Sequence, residues 1–185
     1  KYLKPMPEFV SGEGSIHLTP HSFEVLVDSG QIDAVTISDG LLTMTLEAPR
    51  VWRAEMEFVG IGENRDVLRL INEEPLGFAD KLKIDSKALS GVSASRVRLR
   101  FPVRRDLTLD RVEFAAASNL HDLSIPQIVE GFDLTNGRMG LEVTASLLEV
   151  KGTGNLNSVP TKIHWKQHLG AINEAQVRVQ GNWDQ

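Results

Sequence analysis

The sequence VTISDGLLTMTL at residues 35–46 returns in altered form as FDLTNGRMGLEV at residues 132–143. Apolar residues fall at matching places in both copies. Each copy also has a Ser/Thr-Asp/Asn-Gly triplet, and the two glycines, Gly40 and Gly137, are 97 residues apart. Such a triplet is typical of a turn. Repeats at a fixed period build extended architectures more often than catalytic clefts, so the repeat favours a surface or a groove over an enzyme.

Alternation of apolar and polar residues is the dominant pattern of the chain. The clearest runs have as their apolar members Trp52, Ala54, Met56 and Phe58, and then Val97, Leu99, Phe101 and Val103. A period of two is typical of strands, and it gives each strand one apolar face and one polar face. We therefore expect a mainly β fold, in which repeated antiparallel strands form a sheet that is packed on one side and solvated on the other.

One region has the pattern of a helix. Asn64 is a suitable N-cap, the apolar residues that follow have the spacing of an amphipathic helix, and Pro75 ends the pattern. The apolar residues are Val67, Leu68, Leu70 and Ile71. A second short turn is expected over residues 76–82. We expect this helical insert, near residues 64–82, to cap the apolar surface of the first unit of the sheet.

The repeat divides the chain into units. We place the first unit at residues 1–91, the second at residues 92–170, and the start of a third, truncated unit at residues 171–185. No linker-like tract separates them, which favours one continuous sheet over independent domains. The chain begins at Lys1 without an initiator Met or a signal peptide, and we interpret it as a piece of a longer protein.

Composition excludes several classes of function. The 185 residues are 41% hydrophobic, which is ordinary for a chain that can bury a core. The net charge of −5 gives no electrostatic reason to bind nucleic acid. The chain has no cysteine, which rules out disulfides and thiolate metal sites. No run approaches the length of apolar sequence that spans a membrane as a helix.

Two pairs of histidines have the four-residue spacing that makes a metal pair on a helix. They are His17 with His21, and His164 with His168. Both pairs lie in strand-like sequence, where four residues separate side chains by roughly 13 Å. That distance is too long for shared coordination of one ion. We therefore expect solvent-facing histidines and no metal site.

Other motifs give no sign of catalysis. Residues 60–62 (GIG) and 152–154 (GTG) lack the further glycine and the Gly-Lys-Ser/Thr of a phosphate-binding loop, so we interpret both as turns. No nucleophile elbow or zinc-protease motif is present. The sequence predicts a protein that is not an enzyme, with no catalytic residue and no cofactor.

Basic residues cluster in one region. The members are Arg96, Arg98, Arg100, Arg104, Arg105 and Arg111. Nucleic-acid binding would require aromatic residues on the same face, and the nearest, Phe101, points the other way. The cluster is therefore interpreted as a charged outer face, with contact to anionic lipid headgroups as the alternative.

Two segments carry a resemblance to a known family. DVLRLINEEPLG at residues 66–77 resembles a helix-and-Pro-Leu segment of the AsmA-like proteins of Gram-negative envelopes, in particular the long YhdP-type branch of alphaproteobacteria. VKGTGNL at residues 150–156 is similar to the repeated strand-Gly-x-Gly pattern of that family, and the Asp/Asn-Gly triplets fit it as well. The resemblance covers residues 12–169 and includes no catalytic motif.

The resemblance implies a fold and a function. Members are anchored in the inner membrane by an N-terminal helix, cross the periplasm as a taco-shaped β groove, and carry phospholipid toward the outer membrane. This chain would be an internal, periplasmic segment of such a bridge-like lipid-transfer protein. Its partners would be phospholipid acyl chains, and both membranes through parts of the protein that this chain lacks. We expect a monomer that binds no nucleic acid.

The residues themselves agree with a groove. A sheet with one apolar face must bury that face, and curling the sheet around a lipid is one way to do so. The lipid-binding residues that we predict are Leu42, Met44, Leu46, Ala54, Met56, Phe58, Met139, Leu141 and Val143. The alternative is a closed β-sandwich, a structural or adhesion module with the same residues as a dry core. Periodicity alone does not separate the two, and an enzyme or a glycan-binding module are further alternatives.

Overall fold

A computed structural model describes residues 8–72, 85–104, 106–108, 111–169 and 174–182. The described residues form ten strands, one α-helix and a single 3-10 turn, Ser86–Ala88. The helix, α1, is Asn64–Asn72. The strands are β1 (Phe9–Leu18), β2 (Ser22–Ile32), β3 (Val35–Ala48), β4 (Val51–Glu63), β5 (Ser90–Pro102), β6 (Glu113–Val129), β7 (Phe132–Thr144), β8 (Leu147–Leu156), β9 (Val159–His168) and β10 (Ala175–Gly181).

All ten strands belong to one antiparallel sheet, in which spatial order follows chain order. Within the described residues β1 pairs only with β2 and β10 only with β9, so the sheet is open at both edges. The sheet continues across the boundary between the two predicted units, because β4 pairs with β5. The predicted fold is confirmed: repeated antiparallel strands form an open sheet with one short helical insert.

Strand register gives the sheet two chemically different faces. Leu42 lies opposite Met56, and Met56 lies opposite Leu99, so apolar side chains meet across three strands. One residue along, Glu57 lies opposite Arg98. Because side chains alternate along a strand, these rows lie on opposite sides of the sheet. We call them the apolar face and the polar face.

On the polar face, the arginines of β5 pair with glutamates on neighbouring strands. Arg98 and Arg96 bond the two carboxylate oxygens of Glu57 at 2.7 and 3.2 Å, and Arg100 bonds Glu55 at 2.9 Å. The hydrogen bonds from Arg98 and then Arg96 hold the pKa of Glu57 below its usual value. The predicted charged outer face is confirmed for these three arginines. Such exposed pairs contribute little stability each, but they leave the cluster largely neutralised.

The two Asp/Asn-Gly triplets do not form turns, and that prediction was wrong. Asp39 and Gly40 lie inside β3, and Asn136 and Gly137 lie inside β7, where the strand register shifts. Asp39 and Asn136 have φ values of 48° and 52°. Both triplets are β-bulges, which bend a strand and increase its twist. Asp and Asn adopt left-handed backbone readily in a bulge or in a turn, so the local sequence does not distinguish them.

The two Gly-x-Gly segments also lie in strands, β4 and β8, and were wrongly interpreted as turns. On each, a glycine makes room for a large side chain of the preceding strand. A Cβ on Gly154 would lie 2.8 Å from Cδ1 of Leu134, and one on Gly60 would lie 3.3 Å from Cγ1 of Val35. Leu134 and Val35 are both buried. Each Gly-x-Gly segment therefore makes room for a buried side chain in its own unit.

The main core cluster lies mostly on the apolar face of the second unit. Its buried members are Leu89, Leu123, Leu134, Met139 and Leu156. Most of them come from β6, β7 and β8, near the strand ends beside α1. At the opposite end of β7 and β8, Val143 and Leu148 are also buried, whereas Leu141 between the two ends is half-buried.

Helix α1 begins at the predicted N-cap, Asn64, but it contacts both units. Leu68 packs against the core cluster of the second unit. On the other side, a Cβ on Gly62 would lie 3.5 Å from Cγ2 of both Val67 and Val35, so Val67 covers the first unit. The helix was predicted to cap the first unit alone, and it packs against both units. Pro75 and the turn expected over residues 76–82 lie outside the described residues.

Candidate functional site

The apolar face of β3 and β4 brings together six of the predicted lipid-binding residues. In register, Leu42 lies opposite Met56, Met44 opposite Ala54, and Leu46 opposite Trp52. Phe58 follows two residues after Met56 and lies on the same face. All of these side chains are half-buried except Ala54, which is 1% exposed. They form an apolar surface that the described residues leave partly open.

The other three predicted residues lie on the same face of β7. Leu141 is half-buried, whereas Val143 and Met139 are buried. Met139 belongs to the packed core cluster and is 4% exposed. We therefore assign Met139 to the core that supports the surface, and keep Leu141 as a lining residue. An alternating pattern gives the face of a side chain but not the depth of its packing.

A row of small residues separates the two lining patches. Gly60, Ser95 and Ser118 lie opposite one another on β4, β5 and β6. Oγ of Ser95 and Oγ of Ser118 are 2.7 Å apart. Ser93, on the next row, is buried, and its hydroxyl has no hydrogen-bond partner. Sequence analysis missed this row, although the alternation of Val97, Leu99 and Phe101, extended toward the N-terminus, places Ser95 and Ser93 on the apolar face.

Further lining residues were also missed. Val25 lies opposite Leu42, and Trp165 lies opposite both Val150 and Val177. Val25, Val150 and Trp165 are half-buried on the apolar face. The same period-two pattern identifies them. The surface therefore extends over more strands than the predicted residues cover.

The electrostatic character of this surface is simple. Every charged residue of β4 and β5 occupies the polar face, because the apolar face takes the even-numbered positions of β4 and the odd-numbered positions of β5. Such a surface offers an apolar ligand dispersion contacts and release of water, without ionic recognition.

The polar face has a depression of about 420 Å³. Ala94, Ala117 and Gly140 have little or no side chain and form its floor, and the longer side chains of Arg96 and Lys151 form part of its wall. No aromatic residue lines it, so it lacks the stacking surface that a glycan site uses. We assign it no function.

The two pairs of histidines lie on strands or directly beside them. His17 and His168 are exposed, and His164 Nε2 lies 2.7 Å from a carboxylate oxygen of Glu149. Throughout the described ranges, no group of three or more His, Asp or Glu side chains is placed to hold a metal ion. In the same part of the chain, α1 is the one α-helix, and it has neither the length nor the apolar character to cross a membrane.

No family model, curated protein or solved structure matches the chain. The resemblance to AsmA-like proteins therefore stays a prediction from sequence pattern.

Proposed function

We propose that this chain is a segment of a bridge-like lipid-transfer protein, and that its apolar face carries phospholipid acyl chains. The observation that supports this proposal is an apolar face that crosses the sheet without a second layer over it in the described residues. Leu42, Met44, Met56 and Leu141 all lie on this face and are only half-buried. A contiguous apolar surface that stays partly open to water is typical of a binding site.

The chemistry of the face suits an acyl chain. Each methylene that leaves water contributes about 0.8 kcal/mol, so a long chain gains substantial free energy from apolar contact alone. Methionines such as Met44 and Met56 adapt their side chains to ligands of different shape. Because β4 and β5 place no charge on this face, a lipid headgroup would stay in water outside it.

The closed β-sandwich has less support. A sandwich needs a second sheet over the first, and the described strands all belong to one open sheet. A structural role without ligand would also leave the half-buried lining residues in water. In the proposed setting the chain lies in the periplasm, as part of a protein anchored in the inner membrane, and passes lipid between the inner and outer membranes.

The proposal is tested by what the protein carries. The chain is expressed in a Gram-negative host, purified without detergent, extracted with organic solvent and examined by mass spectrometry. We expect co-purified phospholipid and saturable binding of a fluorescent fatty acid that phospholipid displaces. Protein that is folded, free of lipid and unable to bind the probe contradicts the proposal.

A further inference from the structure

The apolar face carries a strip of hydroxyl groups on β5 and β6. Ser95 and Ser118 lie opposite each other, and Ser93 lies two residues before Ser95 on the same face. Ser93 and Ser95 are 2% and 8% exposed, whereas Ser118 is half-buried and so reaches the surface of the face. We call these three residues the serine strip. It separates the lining patch of β3 and β4 from Leu141, which lies opposite Ser118 on β7.

The pair of Ser95 and Ser118 has more hydroxyl protons than the described chain uses. Each hydroxyl can donate one hydrogen bond. The two Oγ atoms are 2.7 Å apart, so one of the two protons lies between them. The other contact of the pair in the described residues, from Ser118 Oγ to the carbonyl oxygen of Ala94, is 3.5 Å long and therefore weak. The second proton thus has no good acceptor in that part of the chain.

Ser93 gives a second, independent observation. Its Oγ is buried and has no hydrogen-bond partner within the described residues. A buried hydroxyl without a partner lowers stability. An apolar side chain would avoid that cost at a position whose cross-strand neighbours are Gly62 and Leu120. The hydroxyl is explained if it donates to an acceptor outside the described chain.

The surroundings of the serine strip select the kind of acceptor. Because β4 and β5 place no charged side chain on this face, a phosphate here would leave water without a cation to pair with. A carbonyl oxygen carries no net charge and accepts hydrogen bonds from hydroxyls, so it is the better match. In a lipid, carbonyl oxygens belong to the acyl esters, which lie at the ends of the apolar chains. Their position matches a hydroxyl strip that is bordered by apolar patches.

We propose that the serine strip binds the ester carbonyl oxygens of an acyl lipid. Ser118 makes the outermost contact, and Ser95 and Ser93 are deeper donors. The acyl chains lie on the apolar patches beside the strip, and the headgroup points away from the sheet into water. The strip therefore fixes where a lipid rests on the face, and it favours chains joined by esters over chains joined by ethers. This inference rests on the proposed function and names the part of the lipid that the face recognises.

The test compares two lipids that differ in these oxygens. One is a short-chain phosphatidylcholine with two acyl esters, and the other is its dialkyl ether analogue, which has no carbonyl oxygen. Each lipid, below its critical micelle concentration, displaces a bound fluorescent fatty acid, and the displacement curves give two dissociation constants. The ether lipid is also the more apolar of the two. The measured quantity is therefore the ratio of the two constants, compared between wild type and variants.

The double variant Ser95→Ala/Ser118→Ala should lose preference for the ester lipid by about twofold to tenfold, the net contribution of one hydrogen bond. Its affinity for the ether lipid should stay the same. Ser118→Ala alone, at a half-buried position, should shift the ratio in the same direction if the double variant does not fold. The matched control is Ser38→Ala on the polar face, which should keep the wild-type ratio.

Two outcomes separate this inference from the proposed function. If the wild type binds both lipids and the folded serine variants keep its ratio, the inference is overturned and the proposed function stands. If the wild type binds neither lipid and does not bind the fluorescent fatty acid, the proposed function fails and the inference fails with it.

Ser93→Ala distinguishes a binding role from a structural role. In protein freed of lipid, this variant should melt no lower than the wild type, because it removes a buried hydroxyl that has no partner. The ester lipid should raise the melting temperature of the wild type more than that of the variant, since tighter binding to the folded state stabilises it more. A clear fall in the melting temperature of lipid-free Ser93→Ala would show that the hydroxyl bonds within the protein, and would overturn its assignment as a donor to lipid.

Discussion

Leu141 lies level with Ile37 in the sheet, although the sequence repeat makes it the counterpart of Met44. The register runs from Leu141 through Ser118, Ser95 and Gly60 to Ile37. Met44 lies further along β3, by about six strand residues once the bulge is counted, or roughly 20 Å. The copies are also four strands apart, roughly 19 Å across the sheet.

The second copy of the repeat is therefore displaced from the first by about the same distance along the strands as across them. Its axis crosses the strands at roughly 45°, an inclination close to that of strands in barrels. An acyl chain that follows the repeat would cross the strands obliquely, and Met44 and Leu141 would be about 28 Å apart on its path. The two residues are separate contact points, and each is tested by itself.

Met44→Arg and Leu141→Arg should leave the protein folded and reduce the lipid that it carries. In an open face the arginine can extend its charged end to water, so unfolding is avoided. The charge still lies in the apolar path, where an unpaired charge is costly. Thermal melting and lipid content, measured on the same sample, check both expectations.

Thr36→Arg is the control for these two variants, because Thr36 is exposed and on the polar face. It should keep the lipid content of the wild type. Unfolding of both test variants would support a closed core. Normal lipid content in a folded Met44→Arg variant would show that Met44 does not line the path of the lipid.

Gly137→Ala should destabilise the protein by about 1–3 kcal/mol, the usual cost of overpacking. A Cβ at Gly137 would lie 3.0 Å from Cβ and the carbonyl oxygen of Leu123. Gly140→Ala is the matched control on the same strand, since its nearest contact would be a carbonyl oxygen 3.8 Å away. Urea denaturation of both variants gives the comparison, and equal losses would show that the bulge contact is not tight.

Leu134→Ala should cost about 2–5 kcal/mol, because Leu134 is 2% exposed at the centre of the core cluster. Leu41→Ala, on the polar face and 41% exposed, should change stability by no more than about 0.5 kcal/mol. Chemical denaturation measures both. A small effect at Leu134 would mean that the cluster is not the main core.

Leu68→Ala should lower stability by about 1–2 kcal/mol, less than a fully buried leucine would, because Leu68 is only partly buried. The loss should also appear as faster amide hydrogen exchange in β6–β8, since Leu68 packs on the cluster of the second unit. Arg65→Ala, exposed on the same helix, should leave exchange in those strands unchanged. Faster exchange confined to β3 and β4 would contradict the bridging role of α1.

Stability should fall as the pH is lowered through the acid range, in part because of Glu57. Its pKa is held below the ordinary value of 4.5 by Arg98 and Arg96. Below that value the unfolded chain binds more protons at this position than the folded chain does, so acid favours unfolding. The ion pairs of Glu57 with Arg98 and Arg96 stabilise the protein fully above the pKa that Glu57 has in the unfolded chain. This stabilisation is lost as the pH falls through the pKa of Glu57 in the folded protein.

Glu57→Gln should therefore make the acid loss of stability shallower while it lowers stability at neutral pH. Denaturation curves at a series of pH values measure this slope. Glu142→Gln is the control, because Glu142 forms no ion pair within the described ranges. If the free energy of unfolding falls equally steeply with decreasing pH in the wild type and in Glu57→Gln, the ion pairs of Glu57 do not contribute to the pH dependence of stability.

The two faces of the sheet and the start of α1 follow from local patterns in the sequence. Alternation at period two is a local property of extended backbone, so Leu42, Met44 and Met56 had to share a face once they were in strands. The helix follows from an N-cap at Asn64 and from apolar spacing. All nine predicted lining residues consequently lie on the apolar face.

Features that depend on how strands pair cannot be read from any one segment of the chain. Asp39-Gly40 and Asn136-Gly137 favour left-handed backbone in a turn or in a bulge, and pairing with the neighbouring strands selects the bulge. The burial of Met139 depends on Leu89, Leu123 and Leu156, which are distant in sequence. The oblique displacement of the repeat also arises from register across ten strands. Register is a sum of many cross-strand contacts, and no single segment contains it.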